Sequence, residues 1–248
     1  MFLFKTKAQT LSYLRNKFDN RYFLQQEIIN ISEWQNNSDK IIKKIFNNFV
    51  EDTFAVRSSG DAEDSDKGSL AGIYDTILNV KKEKKEFLKA VNKIILSYKD
   101  DKANEILIQP MVKNTVVSGV LVTKDIKNGA PYTVINYDDF SGKTDTVTSG
   151  VESKCIYIIE ESEDKITSSR FRKLLNIVTQ IKSLTKVDEL DIEFCFTQEK
   201  IYILQVRPLA MKKIWKKTQV NEIIDNVSFE TKRLEKYIRN SNHKTVFL

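Results

Sequence analysis

Two clusters of residues have the types and spacing that phosphate chemistry uses. The first lies in Phe54-Ala-Val-Arg-Ser-Ser-Gly-Asp-Ala-Glu-Asp-Ser-Asp-Lys-Gly-Ser-Leu-Ala-Gly-Ile-Tyr-Asp-Thr76, where Arg57 ends a short apolar run, Ser58 and Ser59 follow, and Ser69-Leu-Ala-Gly72 is a run of small residues. Arginine offers a fixed fork of donors that matches phosphate oxygens. The serines add hydroxyl donors, and a small-residue run lets backbone N–H groups approach an anion closely. This equips the segment for a nucleotide triphosphate. An acidic, solvated turn has the same composition, and the P-loop pattern Gly-x-x-x-x-Gly-Lys-Ser/Thr does not occur in the chain.

The second cluster is a hairpin by pattern. Leu190, Ile192, Phe194 and Phe196 alternate with Asp191, Glu193 and Cys195, which places both carboxylates on one face of a strand. After the polar turn Thr197-Gln-Glu-Lys200, Ile201, Ile203, Gln205 and Arg207 alternate with Tyr202, Leu204, Val206 and Pro208. Carboxylate and amide oxygens are the hard ligands Mg²⁺ takes, and an arginine beside them neutralises charge in phosphoryl transfer. The set Asp191, Glu193, Gln205 and Arg207 has that chemistry, as does an amphipathic hairpin with a polar outer face. Geometry separates the two. Pairing symmetric about Gln198 and Glu199 sets Glu193 opposite Leu204, and Gln205 and Arg207 then point away from Glu193. A shared site requires a one-residue shift, expected as an odd-residue loop or a β-bulge near Thr197 to Lys200.

The elements that must position these clusters follow from periodicity. Leu11, Leu14 and Phe18 mark one helix; Ile41, Ile42, Ile45, Phe46 and Phe49 mark another after a cap at Ser38; Phe87, Leu88, Val91, Ile94, Ile95 and Tyr98 mark a third, ended by Lys99-Asp-Asp-Lys102. Strands are expected over Glu105 to Val112, Val116 to Thr123, Tyr132 to Tyr137, Asp145 to Ser149 and Lys154 to Glu160, with a helix from Ser168 to Leu184 before the hairpin. The class is therefore α+β. Residues 1–103 are expected as an N-terminal lobe, 104–210 as a C-terminal lobe bearing the metal-site hairpin, and 211–248 as a helical tail or the start of a following domain.

Composition narrows the function classes. The chain has 248 residues, 41% hydrophobic and 30% charged, enough to bury a sizeable core. Its formal net charge of +6 comes from lysines interspersed with acids, without the interleaved basic and aromatic pattern of a nucleic-acid surface. Cys155 and Cys195 lie apart in apolar alternating runs and lack metal-ligand spacing, so reduced thiols in a cytoplasmic protein are expected. No apolar stretch approaches the ~20 residues of a membrane span, and neither a membrane nor a nucleic-acid partner is expected.

Three blocks carry a resemblance. Val56-Arg-Ser-Ser, Ala62-Glu-Asp and Ser69-Leu-Ala-Gly72 through Thr76-Ile-Leu-Asn-Val80 form the first; Ile108-Gln-Pro-Met-Val112 with Ser118-Gly-Val-Leu-Val-Thr123 the second; Asp191-Ile-Glu-Phe with Ile203-Leu-Gln-Val-Arg-Pro208 the third. In this order they resemble the ATP-binding domain shared by phosphoenolpyruvate synthase and pyruvate phosphate dikinase, over about Lys5 to Leu209. The resemblance implies an ATP-grasp-like fold of two lobes with MgATP in the cleft between them. Arg57 and Arg207 would contact phosphates. Glu193 and Gln205 would ligate Mg²⁺, and Asp191 would be a further ligand or a support behind them. Gly72 and Thr76 match the loop over the phosphates, and Gln109, Met111 and Val112 match the hinge that reads the adenine edge. Lys7 would bind phosphate, although Phe4-Lys-Thr6 departs from the family's Gly-Gly-Lys opening, so that Lys5 and Lys7 compete for one role.

Relatives of this kind pass phosphate to a histidine on a separate swivelling domain. The one histidine here, His243, lies in Arg239-Asn-Ser-Asn-His-Lys244, a polar context unlike the family's phosphohistidine motif. The resemblance thus implies a kinase or phosphotransferase domain whose histidine partner lies outside this chain. The segment Tyr132 to Gly150 is similar to the branch linked to surface-polysaccharide biosynthesis, in which glutamine kinases occur, so the final acceptor is expected to be pyruvate or the glutamine amide. The alternative is a regulatory module that binds nucleotide without transferring phosphate.

Overall fold

Apolar runs buried on both faces mark the two strands around which the first sheet is built. The computed structural model describes residues 3–60, 76–98, 105–126, 129–144, 154–159 and 165–210. In it, β2 (Thr53–Ser59) is buried along almost its whole length, as is β4 (Glu105–Pro110). With β1 (Glu27–Asn30) and β3 (Thr76–Lys81) they form an antiparallel sheet of order β1-β4-β2-β3. Helices α2 (Ile31–Asn48) and α3 (Lys84–Ser97) cover it, each through an apolar stripe. Phe46 stacks on Phe54 at 6.1 Å, and Phe87 meets both rings edge-on at 5.5 and 5.8 Å. This aromatic knot ties both helices to β2, the strand that carries Arg57.

The helix expected to begin after a cap at Ser38 begins earlier. Asn30 caps α2, its side chain accepting from the Ser32 N–H, and the backbone leaves helical values at Asn37 (φ −138°, ψ 28°). The polar run before Ser38 is a kink inside one helix, and Trp34, buried on the earlier turn, donates its indole N–H to Asn92 at 3.2 Å.

The second sheet is antiparallel with order β7-β6-β5-β8-β9, comprising β5 (Val117–Val122), β6 (Tyr132–Asp138), β7 (Lys154–Ile159), β8 (Leu190–Phe196) and β9 (Ile201–Pro208). Helix α4 (Ser169–Thr185) packs on it through Phe171, Leu174, Leu175, Val178 and Ile181. The α+β class is as expected. Strand β4 pairs with β1 and β2, so the change of sheet falls between Pro110 and Val117. Helix α1 (Lys7–Lys17) places Ala8, Leu11 and Leu14 in the core of the second sheet, together with Leu107 of β4. The first helix thus packs on the second sheet while its cap residue Thr6 reaches Glu105 of β4 in the first. The expected strand at Asp145 to Ser149, the polar run Lys99 to Lys102 and the segment 211–248 lie outside the described residues.

Gly119 in β5 sits under the ring of Phe194. A Cβ there would lie 2.3 Å from the Asn136 carbonyl oxygen and 2.9 Å from Phe194 Cζ. The nearer obstacle is backbone, so strands must separate to admit a methyl group. We expect Gly119→Ala to destabilise the fold by at least the ~1–3 kcal/mol typical of overpacking, read as a lower urea midpoint; an unchanged midpoint would contradict this packing.

Candidate active site

The β8–β9 hairpin decides which side chains share a face. Next to the turn the pairing is symmetric, Phe196 with Ile201, Cys195 with Tyr202 and Phe194 with Ile203. The register then shifts by one, setting Glu193 opposite Gln205 and Asp191 opposite Arg207. Leu204 is the extra residue. The one-residue shift that a shared site requires is therefore present, but it lies within β9 and not at Thr197 to Lys200, where Thr197 closes a regular turn by donating to the Lys200 carbonyl at 2.9 Å and accepting from the Lys200 N–H at 3.0 Å. The sequence held a signal for this. The core-facing residues of β9 are Ile201, Ile203 and Val206, an apolar series whose phase changes between Ile203 and Val206. Simple alternation had placed Gln205 and Arg207 on the face of Ile201 and Ile203; the bulge turns them to the opposite one.

A side chain from the other sheet seats on this bulge. Arg57 at the end of β2 donates Nη1 to the Leu204 carbonyl at 2.9 Å, and Nη2 to Glu193 Oε2 at 2.7 Å and to Gln205 Oε1 at 3.3 Å. One guanidinium thus satisfies the carbonyl of the bulged residue and joins the two oxygen-bearing side chains beside it. Arg207 forms the neighbouring pair, donating Nε and Nη2 to Asp191 Oδ2 at 2.9 and 2.7 Å. Both pairs are largely withdrawn from solvent. The Arg57 Nε is buried with no hydrogen-bond partner among the described residues.

Lys7, the first residue of α1, is also buried, and its Nζ donates to the Ser58 carbonyl at 3.3 Å. Burial works against the Glu193 carboxylate, but Arg57, Lys7 and Arg207 together hold its pKa below the usual carboxylate range. Burial dominates at Asp191, whose pKa is raised despite Arg207. Among the described residues, Lys7, Arg57 and Arg207 bring three cationic groups to the Glu193 carboxylate, and Arg207 pairs with Asp191. Lys5 is exposed, whereas Lys7 is buried beside the cluster.

The remaining expected site residues fall as follows. Thr76 is exposed on β3 directly opposite Arg57, and Gly72 lies outside the described residues. Gln109 is buried in β4 opposite Ala55. The Met111 N–H donates to the Thr53 carbonyl at 3.0 Å and so continues the sheet. Val112 follows it, half-buried. Cys195 is fully buried and its thiol is pushed up to about 12 by that burial, consistent with a small packed hydrophobe.

No group of three or more His, Cys, Asp or Glu able to hold a metal occurs among the described residues. Mg²⁺ does not need one, since it is commonly held by one or two protein oxygens together with substrate phosphates and water. Glu193 and Gln205, directly opposed and both bonded to Arg57, supply such a pair of oxygens.

Known proteins resemble parts of this chain. The family model for the pyruvate phosphate dikinase AMP/ATP-binding domain matches residues 13–138. The chain is 29% identical over 202 residues to an uncharacterized phosphotransferase, YvkC, of Bacillus subtilis, covering 63% of this chain and 24% of that protein. It is 27% identical over 211 residues to a rifampicin phosphotransferase of Bacillus cereus, covering 64% and 24%. The chain therefore spans about a quarter of the length of these curated relatives. Among solved structures, the D-alanine–D-alanine ligase of Helicobacter pylori is similar with a TM-score of 0.48 at 13% identity, over 82% of this chain and 54% of the ligase.

Proposed function

The chain belongs to the pyruvate phosphate dikinase AMP/ATP-binding domain family, and from that premise we propose that it is the MgATP-binding part of a phosphotransferase, with the two sheets acting as the lobes of an ATP-grasp fold. The observation that carries this reading is the meeting of Arg57, Glu193 and Gln205 across the two sheets at the Leu204 bulge. In it, Lys7, Arg57 and Arg207 bind the polyphosphate, and the Arg57 Nε, which has no partner among the described residues, is the donor that a phosphate oxygen would accept from. Glu193 and Gln205 hold Mg²⁺, which when bound neutralises charge on the transferring phosphate. Asp191 orients Arg207 through its paired bonds. The adenine edge is read by the backbone after β4, with Val112 replacing Met111 as the N–H donor and Gln109 lining the strand end. Gly72 and Thr76 belong to the cover over the phosphates.

Phosphate passes from this site to a histidine on a domain outside the chain. The final acceptor is pyruvate or the glutamine amide, the latter supported by the sequence from Tyr132 to Gly150. One relative is named for rifampicin, a very different acceptor, which supports placing acceptor choice beyond the nucleotide-binding part. Calorimetry tests the reading: the folded chain should bind ATP in the presence of Mg²⁺, and more weakly when EDTA removes the metal. A folded chain that takes up no ATP would overturn it.

A further inference from the structure

We propose that Tyr98 is a positioning residue for phosphate binding that acts through Lys7, an inference that rests on the nucleotide reading above. Tyr98 lies at the C-terminal cap of α3. Its hydroxyl accepts from the Ser59 N–H at 2.6 Å and donates to the Glu105 carbonyl at 2.6 Å. Ser59 and Glu105 are cross-strand partners, the final pair of the β2–β4 ladder. A phenol oxygen thus stands between two backbone groups that a regular ladder would bring together, using its donor and an acceptor position at once.

Both residues that flank this hydroxyl fasten the first turn of α1. Ser59 Oγ accepts from the Ala8 N–H at 2.8 Å. The Glu105 carboxylate accepts from Thr6 Oγ1 at 2.8 Å and from Gln9 Nε2 at 2.7 Å. Thr6 is the cap of α1, its Oγ1 accepting from the Gln9 N–H at 3.3 Å. Lys7 sits between these anchors, with its ammonium on the Ser58 carbonyl at 3.3 Å. The backbone of Lys7 is held on one side through Ser59 and on the other through Glu105, and Tyr98 sets the spacing of the two. Helix α3 is fixed in turn, because Phe87, Val91 and Ile94 are fully buried in the first core.

Removing only the hydroxyl, in Tyr98→Phe, leaves the Ser59 N–H and Glu105 carbonyl to draw together and shifts both anchors of Lys7. The expected result is about a tenfold loss of MgATP affinity, the size of one charge-assisted contact, with affinity for adenosine, which carries no phosphate, unchanged. A purely structural role would lower both. Lys7→Ala should give a comparable loss, and Tyr98→Phe added to Lys7→Ala should cost nothing further, since the two act as one unit. Should Tyr98→Phe not fold, Ser59→Ala removes the acceptor for the Ala8 N–H and should give the same pattern. Equal losses for MgATP and adenosine, or additive losses in the double variant, overturn the role of Tyr98 while leaving the nucleotide site standing. A wild-type chain that binds neither ligand overturns the nucleotide reading and this role with it.

Discussion

Arg57→Ala is expected to weaken MgATP binding by roughly 1.5–3 kcal/mol, the value of a hydrogen bond to a charged group, and to destabilise the fold as well. The second effect has a separate cause. Truncation removes the donor from the Leu204 carbonyl and leaves the Glu193 carboxylate without its nearest cation. Breaking a buried pair by deleting one partner costs about 3–5 kcal/mol; Glu193 retains some exposure, so the lower end of that range is expected. Arg207→Ala should cost less stability. Its partner Asp191 has a pKa already raised by burial, and can take up a proton to relieve the unpaired charge. Arg57→Lys keeps a cation yet lacks the fork that reaches the Leu204 carbonyl and Glu193 together, and should fall between wild type and alanine. Urea denaturation of the three variants checks the order, and equal losses for Arg57→Ala and Arg207→Ala would contradict it.

The largest expected effect on activity concerns the acceptor. With ATP and either pyruvate or glutamine, the chain alone should form no phosphorylated product above background. Supplying a histidine-bearing domain of the family should restore transfer, with phosphohistidine detected on that domain by mass spectrometry. Changing the supplied histidine to alanine should return the reaction to background. His243, the one histidine of the chain, lies outside the described residues and has no place in this scheme. Product formation by the chain alone, or transfer indifferent to the histidine change, would contradict the relay and favour direct transfer.

The alternation of apolar and polar residues in β8 and β9 made the hairpin and its acidic face legible from sequence. The bulge was less so. Its position depends on a contact between Leu204 and Arg57, residues far apart in the chain, and the local sign of it, the change of phase from Ile203 to Val206, reads as ordinary variation in a strand. Helix α1 was legible as a helix from Leu11 and Leu14, but an apolar stripe does not state which sheet it covers. The Lys99 to Lys102 run suggested a boundary, whereas Ile106 and Ile108, from the far side of it, complete the first core. Tyr98 was visible only as the last apolar position of α3; its hydroxyl matters because the ends of β2 and β4 meet there, which no local pattern records. The Thr6-x-x-Gln9 spacing does mark a helix start, although Gln9 here reaches across to Glu105 instead of back to the cap.

In the proposed site, the Leu204 bulge sets Glu193 and Gln205 side by side as the protein ligands of a nucleotide-bound metal. A crystal structure of the chain with Mg²⁺ and a non-hydrolysable ATP analogue tests it directly. Mg²⁺ is expected at about 2.0–2.1 Å from oxygens of Glu193 and Gln205, with phosphate oxygens within hydrogen-bond reach of Arg57 and Lys7 and the Leu204 bulge retained. A metal held by the phosphates with neither Glu193 nor Gln205 in contact, or a nucleotide seated away from Arg57, would contradict it.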